Sequence, residues 1–182
     1  VILRRDGEKR HTSVTEHVTF VSSRTTVSAA VPFHNLLRLF KRWRNHAFSE
    51  EQHGKVTSFF LELVFGKAYD EQENCLTGEA LEDLLLLTRW VSQHGLNKEI
   101  SFIDSRVPAA TKSHNGPAIV LDPMNRDNNL AHGWTQSDRN HFLEKIDELV
   151  DILRDAKLEA AVDEDQAIEF VEQVFPDFRD MS

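Results

Sequence analysis

Pro117-Ala118-Ile119-Val120-Leu121-Asp122-Pro123-Met124-Asn125-Arg126-Asp127-Asn128-Asn129-Leu130-Ala131 is a short apolar run, rich in β-branched residues, that stops at Asp-Pro and enters a turn-rich loop. The pattern predicts a buried strand over Ala118–Leu121, with the residue before Pro123 kept out of the helical region by the proline ring. The consecutive asparagines Asn128 and Asn129 carry side chains that hydrogen-bond nearby backbone and so favour turns. Upstream, Ile100–Ile103 reads as a second strand paired with the first, the two joined by a loop around Pro108–Gly116.

Most of what surrounds this segment has helical periodicity. Pro32 sets up a helix from about Phe33 to His46, with Leu36, Leu37, Leu39, Phe40 and Trp43 as its buried stripe. Arg38, Lys41, Arg42 and Arg44 fall on the other flank. Val56–Tyr69 is apolar on nearly every side, which places it in the middle of a domain. A third helix is expected from an N-cap at Thr77 to about Gln93, with Gly95 just past its end. Thr135-Gln136-Ser137-Asp138 has the form of a capping box, with Asp for the usual Glu, and opens a long helix. A last amphipathic helix is expected over about Asp165–Phe175, ending before Pro176. Near the N-terminus, Ile2–Leu3 and His17–Val21 read as short strands joined through Asp6-Gly7. The fold class that results is mainly α (α+β), a helical bundle with a few short strands.

Composition narrows the function. A chain of 182 residues is most simply one domain and buries about 70% of its unfolded surface. No apolar run approaches the ~20 residues of a membrane span, so no membrane partner is expected. One cysteine, Cys75, forms no internal disulfide and suits a reducing, cytoplasmic setting. The net charge of −9 argues against a surface devoted to nucleic acid. Its distribution is uneven: residues 1–46 hold nine Lys/Arg against three Asp/Glu, and residues 141–182 hold four against thirteen. The sequence lacks zinc-ligand spacing, a P-loop, a Rossmann glycine motif and a nucleophile elbow.

Two polar positions stand beside the apolar pattern. Lys41 lies next to the stripe of the first long helix, where partial dehydration strengthens a charge-assisted bond to a phosphate oxygen. Periodicity alone fits a solvated basic face more readily. Ser58 opens the second helix, where a hydroxyl either caps the helix or joins its free N–H groups in holding an anion. Asp122, Asn128 and Asn129 have oxygens suited to Mg²⁺, but turn and cap roles explain them better. His132 reads as a surface residue.

Together these residues carry a resemblance. Leu36-Leu37-Arg38-Leu39-Phe40-Lys41-Arg42-Trp43, Ser58-Phe59-Phe60-Leu61-Glu62-Leu63 and the Asp122-Pro123…Asn129 element occur in this order. They resemble the C-terminal lobe of the oligoadenylate synthase and cGAS-like (CD-NTase) nucleotidyltransferases, over about residues 32–155. The family's helix of pattern Leu-Ile-Arg-Leu-x-Lys-x-Trp carries a lysine on the donor triphosphate, and its next helix adds a polar contact. The resemblance gives these roles to Lys41 and Ser58, with Arg38 and Arg42 as weaker candidates and Phe59 where the family has Tyr. Asp122, Pro123 and Asn129 are then a structural motif that braces the lobe. The seventeen-residue spacing from Lys41 to Ser58 suits two helices meeting at one end. The phosphate role requires the Lys41 amine to lie near that hydroxyl and not to be buried against an acidic neighbour.

The family's catalytic centre uses a Gly-Ser dipeptide and three carboxylates holding two Mg²⁺ ions, which clamp the oxygens of an in-line displacement. This chain has no Gly-Ser, and its one acidic pair of the right form is Asp163-Glu164-Asp165 in the acidic tail. The expected division is therefore 1–31 as a strand and linker segment left from an upstream catalytic domain, 32–158 as the helical lobe, and 159–182 as an acidic C-terminal helix. The resemblance implies an intact enzyme that uses ATP and Mg²⁺ to make an oligonucleotide second messenger from nucleoside triphosphates in antiviral or anti-phage defence. It implies an RNA or protein activator as well. None of these cofactors is bound by the chain's own motifs, and the segment alone is expected to be inactive. The competing expectation is a non-catalytic interaction domain on the same scaffold, binding protein or RNA through its basic N-terminal segment.

Overall fold

The computed structural model describes residues 2–3, 9–10, 14–25, 32–102 and 107–176. In chain order the elements are β1 (Ile2–Leu3), β2 (Lys9–Arg10), α1 (Val14–Thr25), α2 (Phe33–Ala47), α3 (Ser58–Gln72), α4 (Ala80–His94), β3 (Leu121–Asp122), β4 (Asn125–Asn129), α5 (Gln136–Glu159) and α6 (Glu164–Glu172). The mainly helical class with small sheets is the one read from sequence.

The core is built around α3 because that helix has no polar stripe to give to solvent. Phe60, Leu61, Leu63, Val64, Phe65, Ala68 and Tyr69 are all buried along it. Helix α2 brings Phe33, Leu36, Leu37, Phe40 and Trp43 to one flank, where the Phe40 and Phe65 rings stack with centroids 3.5 Å apart. Leu39, expected in that stripe, is only partly buried. Helix α4 adds Leu84, Leu85, Leu87 and Val91, and α5 adds Phe142, Ile146, Leu149 and Leu153. Phe142 meets Phe60 edge to face, with centroids 5.4 Å apart. Val174 and Phe175, beyond α6, belong to the same cluster.

The helix ends show which sequence signals were sufficient. The capping box of α5 is complete: Thr135 Oγ1 accepts from the Asp138 N–H at 3.2 Å, and Asp138 accepts from the Thr135 N–H at 2.8 Å. Gly95 closes α4 at φ +59°, the left-handed conformation expected after a helix. At the start of α4, Thr77 is not the N-cap; Glu79 is, and its side chain makes no capping bond. A turn through Gly78 at φ +85° intervenes. Buried Asp83 reaches back instead and accepts from the Thr77 and Gly78 N–H groups at 2.8 and 3.1 Å.

Two strand expectations are corrected. His17–Val21, expected as a strand, lies within α1. Its alternating Val18 and Phe20 fit a helix once Phe20 packs edge to face on Phe102, with centroids 4.7 Å apart. Ile100 and Val120 do meet, but as a single parallel bridge. The ladder proper is β3 with β4, antiparallel and bulged, so that part of the expected loop is itself a strand. Ile103 and the Asp6-Gly7 turn lie outside the described residues.

Candidate functional site

Several contacts fix the approach of α2 to α3, and three of them set the geometry around Lys41. Apolar stacking of Phe40 on Phe65 holds the middle. Arg44, near the C-terminus of α2, donates from Nη1 to the Val56 carbonyl at 3.1 Å, two residues ahead of Ser58. Burial lowers the Arg44 pKa from its ordinary value, though a guanidinium remains charged at any physiological pH. The third link is Lys41 itself, whose Nζ donates to Glu62 Oε1 at 2.6 Å.

Lys41 thus has an acidic partner, but it is not buried: its side chain keeps 35% of its exposure and that of Glu62 keeps 18%. Glu62 lies four residues after Ser58, one turn along the same face of α3. The amine therefore joins α3 on the side of the helix that carries the Ser58 hydroxyl. Ser58 is the first helical residue and is partly buried. The capping role belongs to Thr57, whose side chain accepts from the Phe60 N–H at 3.1 Å.

The two arginines differ. Arg38 is exposed one turn before Lys41 on α2. Arg42 donates from Nη2 to the Pro176 carbonyl, tethering the segment beyond α6 to α2. Nothing in the sequence pattern marked that tether, because its partners are 134 residues apart. Glu62 was likewise missed as the partner of Lys41, since Leu61-Glu62-Leu63 was read only as part of the family motif.

Around the hairpin, side chains are spent on the backbone. Asp122, 1% exposed, accepts from the Met124 N–H at 2.8 Å and from Asn128 Nδ2 at 3.3 Å. Asn129 Oδ1 accepts from the Val120 and Ala131 N–H groups at 2.9 and 3.0 Å, and its Nδ2 donates to the Ala118 carbonyl. Asp127 binds the Thr111 hydroxyl and the Thr111 and Lys112 N–H groups, bonds that lower its pKa. Ser101, Phe102, Lys112, His114 and Arg126 line a recess of about 350 Å³ beside it. His132 is exposed. Among the described residues no three His, Cys, Asp or Glu side chains come together as a metal site would need, so magnesium enters no step argued for this chain. Among the same residues, no helix is long and apolar enough to cross a membrane.

Comparison with known proteins found no matching family model. The chain is 26% identical over 156 residues to a cyclic AMP-AMP-AMP synthase of Escherichia coli (strain MS 115-1), covering 86% of this chain and 46% of the synthase. Among solved structures, E. coli MS115-1 CdnC with ATP superposes with a TM-score of 0.75 at 21% identity, covering 95% of this chain and 53% of CdnC. CdnC in its HORMA-deltaN complex gives 0.70 at 21% identity, covering 91% of this chain and 51% of CdnC. The chain spans about half the length of these relatives, and the match lies in their C-terminal part. The resemblance to the CD-NTases read from the motifs is borne out by homology and by fold.

Proposed function

We propose, from this likeness to a CD-NTase that produces a cyclic oligonucleotide, that the chain acts as the nucleoside-triphosphate-binding C-terminal lobe of such a nucleotidyltransferase. In this reading residues 32–158 form the lobe, and the product is an oligonucleotide second messenger used in antiviral or anti-phage defence. Lys41 gives its amine to the donor triphosphate, Ser58 adds a hydroxyl from the first turn of α3, and Arg38 contributes field. Arg42 has a lesser part, since its guanidinium already serves the Pro176 carbonyl. The transfer chemistry belongs to carboxylates that this chain's motifs do not supply.

The observation that supports this most is the meeting of α2 and α3. Lys41 of the Lys-x-Trp motif joins α3 through Glu62, one turn from Ser58, and keeps a third of its surface in water. A partly hydrated ammonium on a rigid helix is suited to a polyphosphate, because the charge is available and little side-chain freedom is left to lose. That the CdnC neighbour was solved with ATP makes the same ligand the natural probe. In an ATP titration of the full chain, Lys41→Ala should weaken binding about tenfold or more, the loss expected for one charge-assisted bond. The melting temperature should change little. Unchanged binding would remove the phosphate role.

A second reading has one observation behind it: the other CdnC neighbour was solved as a HORMA-deltaN complex. On that reading the scaffold serves protein contact, with the basic N-terminal residues as the binding surface. It predicts ATP binding too weak to measure in every variant and retention of a protein partner by the wild type.

A further inference from the structure

The residue that holds Lys41 deserves a role of its own. We propose that Glu62 is an internal rival for the triphosphate. In the structure it accepts from the Lys41 amine, and a polyphosphate takes that amine only by displacing the carboxylate. The inference rests on the phosphate role of Lys41 given above.

The bond is short, 2.6 Å, and neither partner is buried, so the pair can open without stranding a charge in the core. A lysine ammonium has three donors, and one bond to Glu62 leaves two. Yet a phosphate oxygen drawn to the same amine comes within a few ångströms of the carboxylate. Two anions at that range repel even in a partly hydrated site.

Displacement also has a destination. Ser58, Glu62, Gly66 and Asp70 follow one another at four-residue spacing along α3 and form one stripe. Arg24 of α1 lies across that stripe. Its Nε and Nη2 bind the two Asp70 oxygens at 2.7 and 2.5 Å, and its Nε is 3.6 Å from where a Cβ on Gly66 would stand. A side chain at Gly66 would also press on the Phe20 ring at 3.1 Å, so glycine is what lets α1 bring its cation this close. A carboxylate released from Lys41 therefore turns toward a cation next along its own stripe, one that it would share with Asp70.

The test is a titration of the full chain with inorganic tripolyphosphate and with ATP in metal-free buffer at low salt. It compares wild type, Glu62→Gln, Lys41→Ala and the double variant. Glu62→Gln should tighten both ligands about fivefold, the size expected when one like charge leaves contact range in a partly hydrated site. The gain should vanish in the Lys41→Ala background, because it acts through that amine. If Glu62→Gln binds no better than wild type, or if the gain survives without Lys41, the rivalry is overturned while the phosphate role stands. If Lys41→Ala binds as well as wild type, the phosphate role itself fails and the inference falls with it. Should Glu62→Gln not fold, Glu62→Asp, which keeps the charge but shortens the reach, takes its place. A smaller gain with Glu62→Asp supports the rivalry, and no gain overturns it.

Discussion

Trp43 and Lys41 are two residues apart on α2 and point to opposite fates. Trp43 is 2% exposed and meets Phe48 edge to face, with ring centroids 5.6 Å apart. Lys41 turns away from that packing toward Glu62 on α3. A variant at either position therefore reads a different property. Trp43→Ala should destabilise the fold by about 3–5 kcal/mol, the cost of removing a buried aromatic and leaving its space empty. Urea denaturation measures this, and a loss below about 1 kcal/mol would mean that the indole is not part of the core. The apolar periodicity of α2 was enough to identify Trp43 as buried. The same periodicity said only that Lys41 lies beside the stripe. Its partner lies on another helix, and no local pattern encodes which carboxylate a solvent-edge amine will meet.

Among the elements, α5 has the clearest local instructions and the clearest long-range addition. Its capping box was legible as Thr135 with Asp138 three residues on, since an N-cap and its return bond both lie within one turn. The added bond was not legible: Lys55 Nζ, in the loop before α3, reaches Asp138 Oδ1 at 2.7 Å. Lys55 first, and then the Thr135 N–H and hydroxyl, hold the Asp138 pKa at about 2, below its ordinary 3.8. Folding thus favours the ionised form. The stabilisation is complete above the ordinary pKa and is lost as the pH falls through about 2. The melting temperature of the wild type should drop on acidification from about pH 5 to about pH 2 by more than that of Asp138→Asn. Parallel curves would show that the cap does not titrate with folding. Helix α1 shows the opposite case. His17–Val21 alternates like a strand, and the helix is settled by Phe20 and Arg24 packing against Gly66 of α3, contacts that no local window contains.

Across the whole molecule the question is whether the acidic C-terminal stretch is an appendage or part of the body. The sequence division set residues 159–182 apart because of their charge. In the fold, α6 packs along α5, Phe175 is 1% exposed within the main cluster, and the Pro176 carbonyl is held by Arg42. Charge along the stretch does not prevent Val174 and Phe175, just past α6, from completing the core. Phe175→Ala should lower the stability of a single unfolding transition by about 3–5 kcal/mol. A main transition left in place, with only a minor early step affected, would mark the stretch as independent. The same closure brings Pro176 onto the helix that carries Arg38, Lys41 and Arg42.

The sequence by itself determined helices α2 to α6, most of their buried faces, the α5 cap, the glycine stop of α4 and the family likeness. Each of these depends on residues within a turn or two of one another, or on motifs whose order along the chain is visible. Tertiary structure alone decided that His17–Val21 is helical, that part of the loop after Asp122-Pro123 pairs as a strand, and that Glu62 answers Lys41. The reason is physical: side chains at the edge of a packed stripe choose partners by which helices come together, and that approach is set by the whole core.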